Sequence, residues 1–138
     1  MAPRPALPQP GDRATQTVLV VEAPPHRAAG LKHEFSRSCV AVRGPIRIGQ
    51  WTEENTGEVT VLDLANRSSS AIRLMARLRN ASPPTMIVVI VPELLRDIAW
   101  PMWEVGADAV LEEPVSGERL CRVCRQLLSI RGADERGE

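Results

Sequence analysis

Five times between Thr17 and Leu111 the chain returns to a short, largely aliphatic run. These runs are Thr17-Val-Leu-Val-Val21, Cys39-Val-Ala-Val42, Val59-Thr-Val-Leu62, Met86-Ile-Val-Val-Ile-Val91 and Ala109-Val-Leu111. The first and fourth are unbroken, as expected of strands covered on both faces. Helical periodicity fills the spaces between them. Pro25 to Arg37 sets Ala28, Leu31 and Phe35 on one side, and after a Ser68-Ser69-Ser70 cap Ala71, Leu74, Met75 and Leu78 form a stripe opposite Arg73 and Arg77. Leu94 to Val105 is helical around a break at Pro101 and stops at Gly106, and Ser116 caps a last helix buried through Leu120, Val123, Cys124, Leu127 and Leu128. Residues 45–57, closed off from the second strand by Gly44-Pro45, read either as a short helix or as an irregular crossover. Strands alternating with helices call for right-handed crossovers and a parallel sheet with helices on both faces. The expected architecture is therefore α/β, a doubly wound five-stranded parallel sheet of order 2-1-3-4-5. Its functional edge lies where the first and third strands end.

At 138 residues the chain has room for one domain, expected over 17–130. Residues 1–16, with prolines at 3, 5, 8 and 10, and residues 131–138 are expected to be disordered tails. Lys+Arg and Asp+Glu are both 17, so the net charge is zero, which argues against nucleic acid or an acidic membrane as partner. The longest strongly apolar stretch, Met86 to Val91, is far short of the ~20 residues that span a bilayer. With no signal-like start and an odd number of cysteines (Cys39, Cys121 and Cys124), a cytoplasmic location is expected. Lys32 is the only lysine and there is no tyrosine, which excludes any mechanism that needs either elsewhere.

Three carboxylates fall at the functional edge: Glu22 after the first strand, Asp63 at the end of the third, Glu113 after the fifth. Here the sequence resembles the receiver domain of bacterial response regulators, a flavodoxin-like fold. TVLVVEAPP is similar to that family's first strand and acid pair, VTVLDLA to the strand ending in the phosphoacceptor aspartate, MIVVIVP to the strand ending in a hydroxyl residue, and GADAVLEEP to the entry and exit of the last strand. The resemblance covers nearly all of 17–130. It implies Asp63 as phosphoacceptor, with two acids that hold Mg²⁺ beside it, a lysine, a hydroxyl residue and an aromatic. The first acid is Glu22, but the second acid position is Ala23, the hydroxyl position Val91, the aromatic position Val110 and the lysine position Glu113. Lys32 falls in the first helix, away from that position. A phosphoryl group on Asp63 would meet negative charge where its chemistry needs positive charge.

The expectation is a degenerate receiver: not an enzyme, without a cofactor, acting by contact with another protein or with itself. Two alternatives stay open. One is a working phosphoreceiver that accepts phosphate on Asp63. The other is a small ligand- or metal-binding domain in which Glu22, Asp63 and Glu113 hold a hard cation such as Mg²⁺ or Ca²⁺. The bland role for Asp63 is a helix cap or a partner of Arg67. Leu94, Leu95, Trp100, Met102 and Trp103 exceed what one helix needs to face a sheet, and are the expected partner surface, where the resemblance also puts one. Trp51 fits core or surface equally. Cys121-Arg-Val-Cys124 has redox spacing but sits a turn into a helix, so it reads as structural, and His26 and His33 read as surface residues.

Overall fold

The structure is a computed structural model that describes residues 16–22, 26–55, 57–64 and 68–135. Among these, five strands form one parallel sheet of order β2-β1-β3-β4-β5. The strands are β1 (Gln16–Val21), β2 (Val40–Ile46), β3 (Val59–Asp63), β4 (Met86–Val91) and β5 (Ala109–Glu112). The helices are α1 (Arg27–Glu34), α2 (Ser68–Arg79), α3 (Ala99–Glu104) and α4 (Gly117–Glu135). The doubly wound topology is the one the alternating runs predict. Ala23, Arg67 and the stretch 1–15 lie outside the described residues, and Ser68, Ser69 and Ser70, the expected cap, are the first residues of α2.

Side chains alternate between the two faces, so each central strand feeds two cores. Val18, Val20, Val61, Val88 and Ile90 pack with Leu31 and Phe35 from α1 side and Leu120, Cys124 and Leu128 of α4. Leu19, Val21, Leu62, Val89 and Val91 face the other way, onto Leu74, Met75 and Leu78 of α2 and Met102 of α3. At roughly 1.5–3 kcal/mol for each fully buried aliphatic side chain, these two layers supply the main driving force for the fold.

The structure settles or revises four local readings. First, β2 does not stop at Gly44-Pro45 but runs through to Ile46. Between Leu19↔Arg43 and Val21↔Ile46 it advances three residues against two on β1, a bulge that absorbs the proline on an edge strand. Gly44 has φ +111°, and a Cβ there would lie 2.5 Å from the Val20 carbonyl oxygen, so glycine is required. Second, the crossover after β2 contains a 3₁₀ turn, Ile48–Gln50, that leads Trp51 into the core, where it is 1% exposed under the Arg77 guanidinium. Third, the segment before Gly106 is a 3₁₀ turn over Glu93–Ile98 followed by α3. Its kink lies at Leu95, and Pro101 falls in the first turn of α3, where no amide donor is needed. Fourth, β1 includes Gln16 and α4 continues to Glu135, which corrects the expected tail boundary at 131. Extending a formed helix gains one hydrogen bond for each residue ordered, so α4 outlasts its apolar stripe. Among the described residues no helix is long and apolar enough to cross a membrane.

Candidate functional site

The parallel ladders carry on for one residue beyond the strands. Glu22 N–H donates to the Ile46 carbonyl, Leu64 N–H to that of Ile90, and Glu113 N–H to that of Val91. These bonds bring Glu22, Asp63 and Glu113 to one edge of the sheet. Glu22 and Asp63 are buried at 3% and 6% exposure, and the Glu113 side chain is partly open.

Buried carboxylates need partners. Glu22 finds its own in the backbone: Oε1 accepts from Arg27 N–H at 2.9 Å and Oε2 from Ala28 N–H at 2.8 Å. It therefore caps α1, its negative charge set against the positive end of the helix dipole. Asp63 and Glu113 share a single guanidinium. Arg27, the first residue of α1, places Nε 2.7 Å from Asp63 Oδ2 and Nη2 3.3 Å from Glu113 Oε2, and its Nη1 donates to the Val115 carbonyl at 3.4 Å. The Arg27 side chain is only 9% exposed. One planar cation thus spans from α1 across β3 to the connection between β5 and α4. The fork of an arginine can make all three contacts, which the single ammonium of a lysine cannot.

Sequence reasoning found the three acids and missed the two residues that complete the site. Arg27 is a partner of Asp63, and the expected one, Arg67, lies outside the described residues. A signal for it was present: a basic residue in a first helical turn, with no acid in that turn, opposes the helix dipole and implies an anion nearby. His26 is exposed, as expected of a surface residue, yet its Nδ1 lies 3.7 Å from Glu22 Oε1. Glu22, His26 and Asp63 each offer a ligand atom, all within 4.8 Å of one another. Glu113, the third of the expected acids, is at the same edge, with Oε2 3.3 Å from Arg27 Nη2.

The other singled-out positions are placed as follows. Val91 is fully buried in the core shared with α2, and Val110 packs against the same core. Lys32 is engaged elsewhere, its Nζ donating to the Gly44 carbonyl at 2.9 Å. Of the expected partner surface, Leu94, Trp100 and Trp103 are 91%, 71% and 46% exposed. Met102 is a correction: it is fully buried, since it sits on the sheet-facing side of α3, and Leu95 likewise leans on that core. Cys121 and Cys124 are free thiols within the core on α4, and burial pushes the Cys124 thiol up to about 12. Both read as structural.

No protein-family model matches the sequence, and no curated protein matches it. Solved structures do match the fold. The signal receiver domain assigned to a Luxo repressor protein from Vibrio parahaemolyticus superposes with a TM-score of 0.76 at 20% identity, covering 90% of this chain and 98% of that one. The REC domain of AraT, a response regulator from Geobacillus stearothermophilus, gives 0.70 at 19%, covering 87% and 98%. A response regulator from Thermotoga maritima gives 0.68 at 19%, covering 83% and 98%.

Proposed function

We propose, from the premise that this chain has the receiver-domain fold, that it is a signalling module that works by protein contact and has lost the aspartyl-phosphate switch. The observation that carries this reading is Arg27. A phosphoryl group needs open approach to the aspartate and positive charge around the transferring oxygens. Here the Asp63 carboxylate is buried and already paired with a guanidinium from its own domain. The substitutions read from the sequence point the same way: Ala23 for an acid, Val91 for a hydroxyl, Val110 for an aromatic and Glu113 for a lysine. The exposed Leu94, Trp100 and Trp103 support a partner that is a protein, either a second copy or another chain, and the zero net charge supports neither nucleic acid nor membrane.

The second reading, a working phosphoreceiver, is favoured by Asp63 itself, an acid at the end of β3 on this fold. Incubation with acetyl phosphate and Mg²⁺ followed by intact-mass measurement separates the two. The proposed function expects an unchanged mass. A gain of about 80 Da, one phosphoryl group, that Asp63→Asn abolishes would establish the second reading instead.

A further inference from the structure

We propose that the proline-rich segment 3–10 docks on the exposed tryptophans of α3 in the same chain and occupies that surface until a protein partner displaces it. This rests on the proposed function for the use of the surface, and adds its occupant and its regulation. Leu94, Trp100 and Trp103 are exposed, and the two tryptophans, three residues apart, are neighbours on the short helix. Prolines stand at 3, 5, 8 and 10, in the order Pro3-Arg-Pro-Ala-Leu-Pro-Gln-Pro10. A segment of this kind favours the polyproline II helix, which has little conformational freedom left to lose, and surfaces lined by aromatic rings are what recognise it. With three residues to each turn, Pro5 and Pro8 share one edge of such a helix, and Arg4, Leu7 and Pro10 share the next. One edge offers rings to the indoles, the other an apolar side chain and a cation.

Reach and charge select this occupant. β1 begins at Gln16, at the same edge of the sheet where the chain leaves α3 for β5. β5 lies three strand spacings from β1, about 14 Å, and residues 11–15 extend over about 17 Å. Pro10 can therefore arrive at the Trp103 end of α3, and the segment then runs back toward Trp100 and Asp97. Over residues 93–104 three acids, Glu93, Asp97 and Glu104, meet one arginine, Arg96. Arg96 is taken by Glu93 at 3.5 Å, and Glu104 accepts from the Trp100 indole at 2.7 Å. Asp97 is exposed and, among the described residues, has no ion-pair partner. Arg4 brings a cation at the end of the segment that runs toward it. A short tether gives a local concentration on the order of millimolar, which favours the chain's own segment over that of a second copy. A covered surface lowers a partner's apparent affinity in proportion to the fraction covered, so release of the segment is the regulated step.

The test is paramagnetic broadening in the full chain. A nitroxide is placed on the thiol of an Ala2→Cys variant in a Cys39→Ser background, Cys121 and Cys124 being buried. The indole N–H signals of Trp100 and Trp103 should lose most of their intensity, while the amides of α1, across the sheet, keep theirs. Arg4→Glu with Pro5→Ser and Pro8→Ser in the same labelled chain should restore the indole signals. All three positions lie before β1, and circular dichroism checks that the fold is unchanged. A mixture of ¹⁵N chain without nitroxide and nitroxide-bearing chain without ¹⁵N should show no broadening, because the contact is within one molecule. Intact indole signals in the labelled chain, broadening that persists in the triple variant, or broadening in the mixture would each overturn the proposal. The proposed function fails by a different result, the mass gain with acetyl phosphate, which this measurement does not read.

Discussion

Arg27 ties the candidate site together, and its energetics can be argued from burial. Its guanidinium and the Asp63 carboxylate are both nearly sealed from water, at 9% and 7% side-chain exposure. Removing one member of such a pair takes from the other the buried counter-charge 2.7 Å away, so Arg27→Ala should destabilise the domain by about 3 kcal/mol in urea unfolding. Arg27→Lys keeps the charge but loses the fork that reaches Asp63, Glu113 and the Val115 carbonyl together, and should recover only part of that loss. Asp63→Asn made together with Arg27→Met, a neutral pair, should be closer to wild type than Arg27→Ala alone, because the charge then left, on Glu113, is open to water. The cysteines give a prediction of a different kind. Burial pushes the Cys124 thiol from its ordinary 9.0 up to about 12, with Cys121 also raised, whereas Cys39 is exposed. A neutral thiol favoured by the fold contributes stability that is complete below about pH 9 and is lost as pH rises toward about 12, because the unfolded chain ionises first. Iodoacetamide at pH 8 should therefore label Cys39 alone in the folded protein and all three thiols in denaturant, as read by intact mass.

At the scale of elements, β2 and α3 are where local chemistry departs from a simple pattern. The bulge in β2 rests on Gly44, whose positive φ and 2.5 Å approach to the Val20 carbonyl oxygen leave no space for a side chain. Gly44→Ala should cost about 2–3 kcal/mol in unfolding free energy, with the damage confined to the β1–β2 pairing by hydrogen exchange. The short α3 shows the opposite arrangement, a helix anchored mainly by one residue, with Ala99 against the same core and both tryptophans outward. Met102 holds it to the sheet while Trp100 and Trp103 face outward, the indole N–H of Trp100 donating to Glu104 Oε1 at 2.7 Å. Trp100→Ser with Trp103→Ser should leave stability within about 0.5 kcal/mol, as for exposed positions in general. Light scattering over a concentration series should lose any self-association that the wild type shows. An unchanged monomer in both proteins would remove the second-copy version of the partner.

At the scale of the whole molecule, the sheet edge and the α3 surface belong to different layers: Arg27 and Glu22 serve the α1 side, and α3 packs on the α2 side. If the aspartyl-phosphate switch is gone, the fold should be indifferent to the reagents that drive it. Mg²⁺ at about 10 mM should leave the thermal midpoint unchanged, since a ligand that does not bind the native state adds no stability. The five apolar runs determined the layer count and the parallel sheet, because a strand covered on both faces must be continuously apolar and a parallel neighbour requires a crossover, while the order 2-1-3-4-5 was the economical solution that the packed structure adopts. They also put Glu22, Asp63 and Glu113 at one edge, since residues that follow parallel strands end on the same side. The sequence left Trp51 undecided, did not single out Arg27 and gave His26 no partner, for one shared reason. A charged residue at a helix start or an aromatic in a crossover looks the same whether it meets water or a partner distant in the chain. Arg27 and Asp63 are 36 positions apart, and Trp51 meets Arg77 across 26. Local periodicity carries the direction in which an element is buried, but only the packed tertiary structure decides which charge neutralises which.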